Sequence, residues 1–270
     1  MQNNRGKNIL QLHFIVFIFG FTSVLGALIS ISALPITIYR MGIASFFLAL
    51  FIFFYDKNKF KLRKALIIKI LICGLIIALH WITFFYAIKI SNVSITVSMM
   101  SSAAFLTSLI EPLFFKKKIL LYELILGILS LFGVSIIFNA EIKYIDGLIV
   151  ALISSVLVSV FTILNSRIVT NNSSISISFY ELFIGFLFSL FYYYLFIDTS
   201  LFLEKINYQD LIFLLILGVI CTSYAFTKSV DLIKYLKPFT IMMIINMEPV
   251  YAILISLLIF GESEYLSINF

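Results

Sequence analysis

Nine apolar runs divide this chain from end to end, at 12–31, 35–54, 67–88, 93–115, 119–138, 147–168, 176–197, 210–230 and 238–260. Each is about 20 residues, the length a helix needs to cross a hydrocarbon core of roughly 30 Å. Inside lipid every backbone amide and carbonyl must find its partner within the chain, so such runs predict helices. The connections are mostly under about 15 residues, which makes neighbouring spans antiparallel and leaves no room for an extramembrane domain. Composition closes the alternative: the chain is 62% hydrophobic and 12% charged, against about 45–50% and about 25% in a soluble domain. The expected fold is an all-α integral membrane protein.

The first run follows Arg5 and Lys7 and ends among small residues, as a secretory leader does. It is longer than a leader's apolar core, and a leader leaves the other eight runs unexplained, so it is read as a retained helix. The chain carries 19 Lys and Arg against 13 Asp and Glu, a net charge of +6. With the N-terminus in the cytoplasm, the basic residues at 5, 7, 57–64, 116–118, 167, 234 and 237 fall inside and only Lys89, Lys143 and Lys205 outside. Glu141, Asp146, Asp198, Glu204, Asp210, Glu262 and Glu264 fall in outer loops. This sorting is what a multi-pass protein of the cell membrane shows, and it removes nucleic acid as a partner. Cys73 and Cys221 sit inside apolar runs and read as small buried hydrophobes. His13 and His80 are the only histidines, so no histidine metal site is expected, and no cofactor is implied.

The two halves also align. Ile88-Lys89 falls on Ile233-Lys234, Leu109-Ile110 on Leu254-Ile255 and Phe115 on Phe260, while a slightly different offset sets Tyr39 on Tyr180. Under the first offset the basic 116–118 cluster falls on Gly261-Glu262-Ser263. A repeat position that is basic in one copy and acidic in the other is what positive-inside sorting demands of two copies in opposite orientation. Five helices per half is the simplest count that fits, giving repeats at 1–140 and 141–270. The second shows four helices. The chain stops ten residues after its last run, in GESEYLSINF, which reads like the approach to a further helix, so a tenth helix is expected to be missing.

Several segments carry a family likeness: Pro35-Ile-Thr-Ile-Tyr-Arg40, His80-Trp81 through Tyr86-Ala-Ile-Lys89, Glu111-Pro112-Leu-Phe-Phe, Asn246-Met-Glu248-Pro249-Val-Tyr251 and Phe260-Gly261-Glu262. In this order the chain resembles the EamA-type branch of the drug/metabolite transporter (DMT) superfamily. The resemblance implies ten helices in two inverted five-helix repeats, and a secondary transporter moving small metabolites by alternating access. Amino acids, related compounds or amphipathic drugs are the implied cargo, with export favoured.

A charged side chain near mid-membrane costs about 2.5–3.5 kcal/mol or more, so each needs a reason. Glu248, beside Pro249, reads as a site for a substrate ammonium or a proton, or as a carboxyl tying two helices together. His80 and Trp81 are expected to line a cavity, the imidazole relaying a proton and the indole face holding a cation. Arg40 reads as a gating or structural group that reaches the outer interface or captures a carboxylate, and Glu181 as lining the inner entrance. Glu111 reads as paired with one of Lys116 to Lys118. Asn246, Tyr224, Thr222, Tyr86 and Asn165 offer uncharged hydrogen bonds to a ligand or between helices. No G-x-x-x-x-G-K-[ST] loop is present, so protons or the solute's own gradient supply the drive. An integral-membrane transferase needs clustered acids or histidines at an interface, and a channel needs sustained polar rings; neither pattern is found. The expected partners are the bilayer, a small-molecule substrate and protons, with the protein a monomer or a homodimer.

Overall fold

A computed structural model describes residues 4–140, 142–197 and 206–260, with side chains except at 131 and 133–142. The Gly261-Glu262 pair, Lys205, the outer acids at 141, 198, 204, 262 and 264 and the expected approach to a tenth helix lie outside the described residues. Every long element among the described residues is helical: α1 (Arg5–Leu28), α2 (Ala33–Tyr55), α3 (Ile67–Ile90), α4 (Val93–Met100), α5 (Ser102–Phe115), α6 (Leu121–Ala140), α7 (Ile145–Val169), α8 (Ser174–Phe196), α9 (Tyr208–Ile216), α10 (Ala225–Leu232), α11 (Pro238–Ile245) and α12 (Glu248–Phe260). A wide π turn over Leu217–Tyr224 joins α9 to α10 into one rod. Among the described residues eight such rods are long and apolar enough to cross a membrane, and the apolar part of α6, Leu121–Ser130, is shorter.

Two of the nine apolar runs are broken. α4 gives way to α5 at Ser101, and α11 gives way to α12 at Asn246-Met247. The first pieces are both eight residues long and begin 145 positions apart, at 93 and 238. The breaks therefore fall at matched positions in the aligned halves. The two broken rods cross: α4 packs on α12, and α11 on α5. Elsewhere α3 lies against α7 and α8, and α2 lies against α8 and the π turn, so that each half builds its core on the other.

Small residues set the distances. A Cβ on Gly74 would lie 2.8 Å from the Glu181 carbonyl oxygen, and one on Gly218 2.5 Å from Ile43 Cγ2. These two crossings need glycine, which lets one backbone approach its neighbour. Outward faces carry large apolar side chains such as Phe54, Phe196 and Leu258, as lipid contact requires.

The end carrying Lys57–Phe60 and Lys116 to Lys118 is called the basic end below. At the opposite end Asp210 closes the first loop. Its Oδ1 accepts from the Ser30 amide at 2.8 Å and its Oδ2 from the Ser30 hydroxyl at 2.6 Å. Asp210 also completes a capping box with Asn207 at the start of α9. The Lys89 ammonium donates to the Ile29 carbonyl beside it.

Candidate functional site

A cavity of about 90 Å³ lies where the two halves meet, walled by α1, α2, α3, α5, α7, α10 and α11 together with Met100 at the end of α4 and Glu248 at the start of α12. Its wall is mostly apolar, with Ile77, Phe84, Phe161 and Phe226 among the larger groups. Three titratable side chains face it: Arg40, His80 and Glu248.

Arg40 is 2% exposed, so it does not reach an interface. Its Nε donates to Thr222 Oγ1 at 2.7 Å, and the guanidinium lies over the Trp81 ring with Cζ 3.8 Å from the centroid. Nη1 is buried with no partner. The π turn supplies the threonine: Thr222 Oγ1 donates to the Leu217 carbonyl five residues back, at 2.7 Å, a bond that fits the widened turn. Glycine at 218 brings that turn close enough to α2 for the contact. Local irregularity in one half thus holds the cation supplied by the other.

His80 is held from behind. Its Nδ1 lies 3.0 Å from the Ser154 carbonyl, while Ser154 Oγ donates to the His80 carbonyl at 2.9 Å and sits 2.8 Å from Nδ1. A proton on Nδ1 fits this clasp and leaves Nε2 for the cavity. Trp81 packs edge to face on Phe226 with centroids 5.4 Å apart. These two rings occupy matched positions in the aligned halves.

Glu248 opens α12, directly after the break. A carboxylate there sits at a helix N-terminus, where the backbone dipoles favour it. Pro249 falls in the first turn, where a missing amide costs nothing. Arg40 is the charged group that acts on Glu248 across the cavity. The matched position in the first half is Ala103, which also lines the cavity, so the acid breaks the symmetry of the site.

The other candidates lie elsewhere. Tyr86 and Tyr224 are 50% and 44% exposed on the outer surface of the bundle, and Asn246 sits at the break itself as the last cap of α11. Glu111 turns to backbone: its Oε2 accepts from the Phe239 amide at 3.2 Å, capping the start of α11. Glu181 is fully buried between helices, with Oε1 accepting from Asn165 Nδ2 at 2.8 Å, away from the cavity wall. The wall also includes Thr22, Thr162 and Ser229, which the sequence alone did not mark out. Phe226 was within reach, because the repeat offset places it on Trp81.

Residues 7–139 and 145–267 each match the sequence profile of the EamA-like transporter family. No curated protein sequence matches the chain. A crystal structure of a protein superposes on it with a TM-score of 0.74 at 13% identity, covering 98% of this chain and 92% of the other, a likeness of fold.

Proposed function

The chain belongs to the EamA-like transporter family and is a multi-pass membrane transporter of the DMT superfamily; on that premise we propose that it moves small zwitterionic metabolites, amino acids or compounds like them, through the central cavity by alternating access. One observation carries this reading: a guanidinium with an unpartnered nitrogen and a carboxylate face the same mostly apolar cavity between the halves. An α-carboxylate suits Arg40 and an ammonium suits Glu248, with the aromatic wall left for an apolar side chain. The cavity's lining next to the α10–α11 loop supports a reading of its state. At the basic end its lining runs to Ile233 and Ile241, within a turn of the ends of α10 and α11. At the other end it stops at Thr22, Phe84 and Arg40, six or seven residues short of the helix ends, or about 10 Å. Positive-inside sorting supports a cytoplasmic basic end in the cell membrane, so this is an inward-facing form, and export starts from it.

The test is counterflow of labelled apolar amino acids in liposomes holding the purified protein. Exchange is expected with wild type and is lost with Glu248→Gln and Arg40→Met. If wild type exchanges none of them, or if Glu248→Gln binds and exchanges as wild type does, the cavity is not the substrate site.

A further inference from the structure

Glu181 and Asn165 form a buried pair with a specific deficit. Glu181 Oε1 accepts from Asn165 Nδ2, but Glu181 Oε2 and Asn165 Oδ1 are both buried without a partner. Both orphan atoms are acceptors when the acid is ionised, and both side chains are 0% exposed. An ionised carboxylate left half-bonded at this depth is among the costliest arrangements in a membrane. A single proton resolves both deficits. On Glu181 Oε2 it turns that oxygen into a donor, and the group that lacks one is Asn165 Oδ1. A carboxylic acid and a primary amide then pair through two antiparallel hydrogen bonds.

We propose that Glu181 and Asn165 are a proton-binding site of this chain, separate from the cavity, in which Glu181 Oε2–H donates to Asn165 Oδ1 and ties α8 to α7. The surroundings suit a neutral acid. From α3 the Cys73 thiol is the titratable group that faces Glu181, and Gly74 lets α3 lie flat on the Glu181 backbone. From α2 the nearest charge is Arg40, which is turned into the cavity beneath Trp81. From α10, Asp231 is engaged by Ser174 at 2.7 Å and Lys234 at 3.0 Å. From the short helix Lys57–Phe60, the Phe60 carbonyl takes the Tyr180 hydroxyl, and Lys57 lies over Phe53. On α7, Arg167 is held by the Phe114 carbonyl and the Phe115 ring. The pair stands about 6–10 Å from the basic end by helix rise, so parting α7 from α8 there releases the proton to that side.

Glu181→Gln is the isostere of the protonated acid, since its amide donates to Asn165 Oδ1 and its carbonyl accepts from Nδ2. The full chain in nanodiscs is followed by infrared spectroscopy and by thermal unfolding across pH. Wild type at neutral pH is expected to show a protonated-carboxyl C=O band that Glu181→Gln lacks and Glu248→Gln retains. Folded wild type holds a proton that an ordinary carboxyl has released, so its unfolding constant relative to Glu181→Gln rises with pH, by up to about tenfold per unit, the slope of one proton. The proposal is overturned if that band survives in Glu181→Gln, or if the two stability profiles run parallel. It is overturned equally if Glu181→Gln fails to fold, because the isostere of a neutral acid must fit. Stabilisation of wild type by sodium ions that is lost in Glu181→Gln makes the pair a metal-cation site instead.

Discussion

Adding one methyl group at Gly74 separates two crossings that look alike in sequence. α8 is approached from one side by α3 through Gly74 and from another by α2 through Gly42. A Cβ at 74 meets backbone, the Glu181 carbonyl oxygen at 2.8 Å, with Ile184 Cβ at 3.0 Å behind it. A Cβ at 42 meets the edge of the Phe186 ring at 3.0–3.1 Å. The half-buried ring can move by the few tenths of an ångström required, whereas the carbonyl moves only if α3 and α8 part. Overpacking that shifts backbone costs about 1–3 kcal/mol, and alanine returns up to about 1 kcal/mol over glycine within a helix. Gly74→Ala is therefore expected to lose roughly 1–2 kcal/mol net, a fall of about 2–8 °C in unfolding midpoint. Gly42→Ala is expected to stay within about 1 °C of wild type or to gain. Thermal unfolding of the purified protein in one detergent reads both. A Gly74→Ala midpoint at or above wild type, or a larger loss at 42 than at 74, refutes the reasoning that backbone contact decides the cost.

Arg40→Lys keeps the charge but cannot both bond Thr222 and lie flat on Trp81, so transport should fall at least tenfold, consistent with about 1.5–3 kcal/mol for a hydrogen bond to a charged group; initial exchange rates within twofold of wild type remove Arg40 from the site. Thr222→Val should reproduce much of that loss while Ser223→Ala, whose hydroxyl bonds the Ala44 carbonyl away from the cavity, should not, as the same assay shows. Asp210→Ala strips Ser30 of both partners and removes one half of the capping box, the bond from the Asn207 amide to the carboxylate, while Asn207 Oδ1 still accepts from the backbone amide at 210, for a loss of about 1–3 kcal/mol in stability. Because Cys73 and Cys221 are buried, a cysteine placed at Ser32 gives a clean readout: its labelling by an impermeant thiol reagent should quicken in the Asp210→Ala background.

The helices were legible because hydropathy writes them directly: nine runs became nine helical stretches, with α6 the one whose described apolar part is short. The break at Ser101 was not, because no proline or charge interrupts the apolar run there; at Asn246 the Glu248-Pro249 pair that follows was read as a candidate site and not as the start of a new helix. The site was half legible. Arg40, His80, Trp81 and Glu248 stood out because polar or amphipathic groups in lipid need a reason, and the fold brings all four to one cavity. Tyr86 and Tyr224 fall on the outside because a lipid-facing and a core-facing side chain look the same in an apolar helix, so no periodicity says which face turns inward. Glu181 offered the same chemistry as Glu248 at the level of residue type. What separates them is that α3 lies flat on one, while a broken helix opens beside the other.

The two broken rods cross at their breaks. α4 is packed on α12 and α11 on α5, so the half-rods pair across the two runs and not along the order of the chain. On the alternating-access reading proposed above, a rotation about Ser101 and Asn246 would turn Glu248, two residues past the second break, without carrying it far.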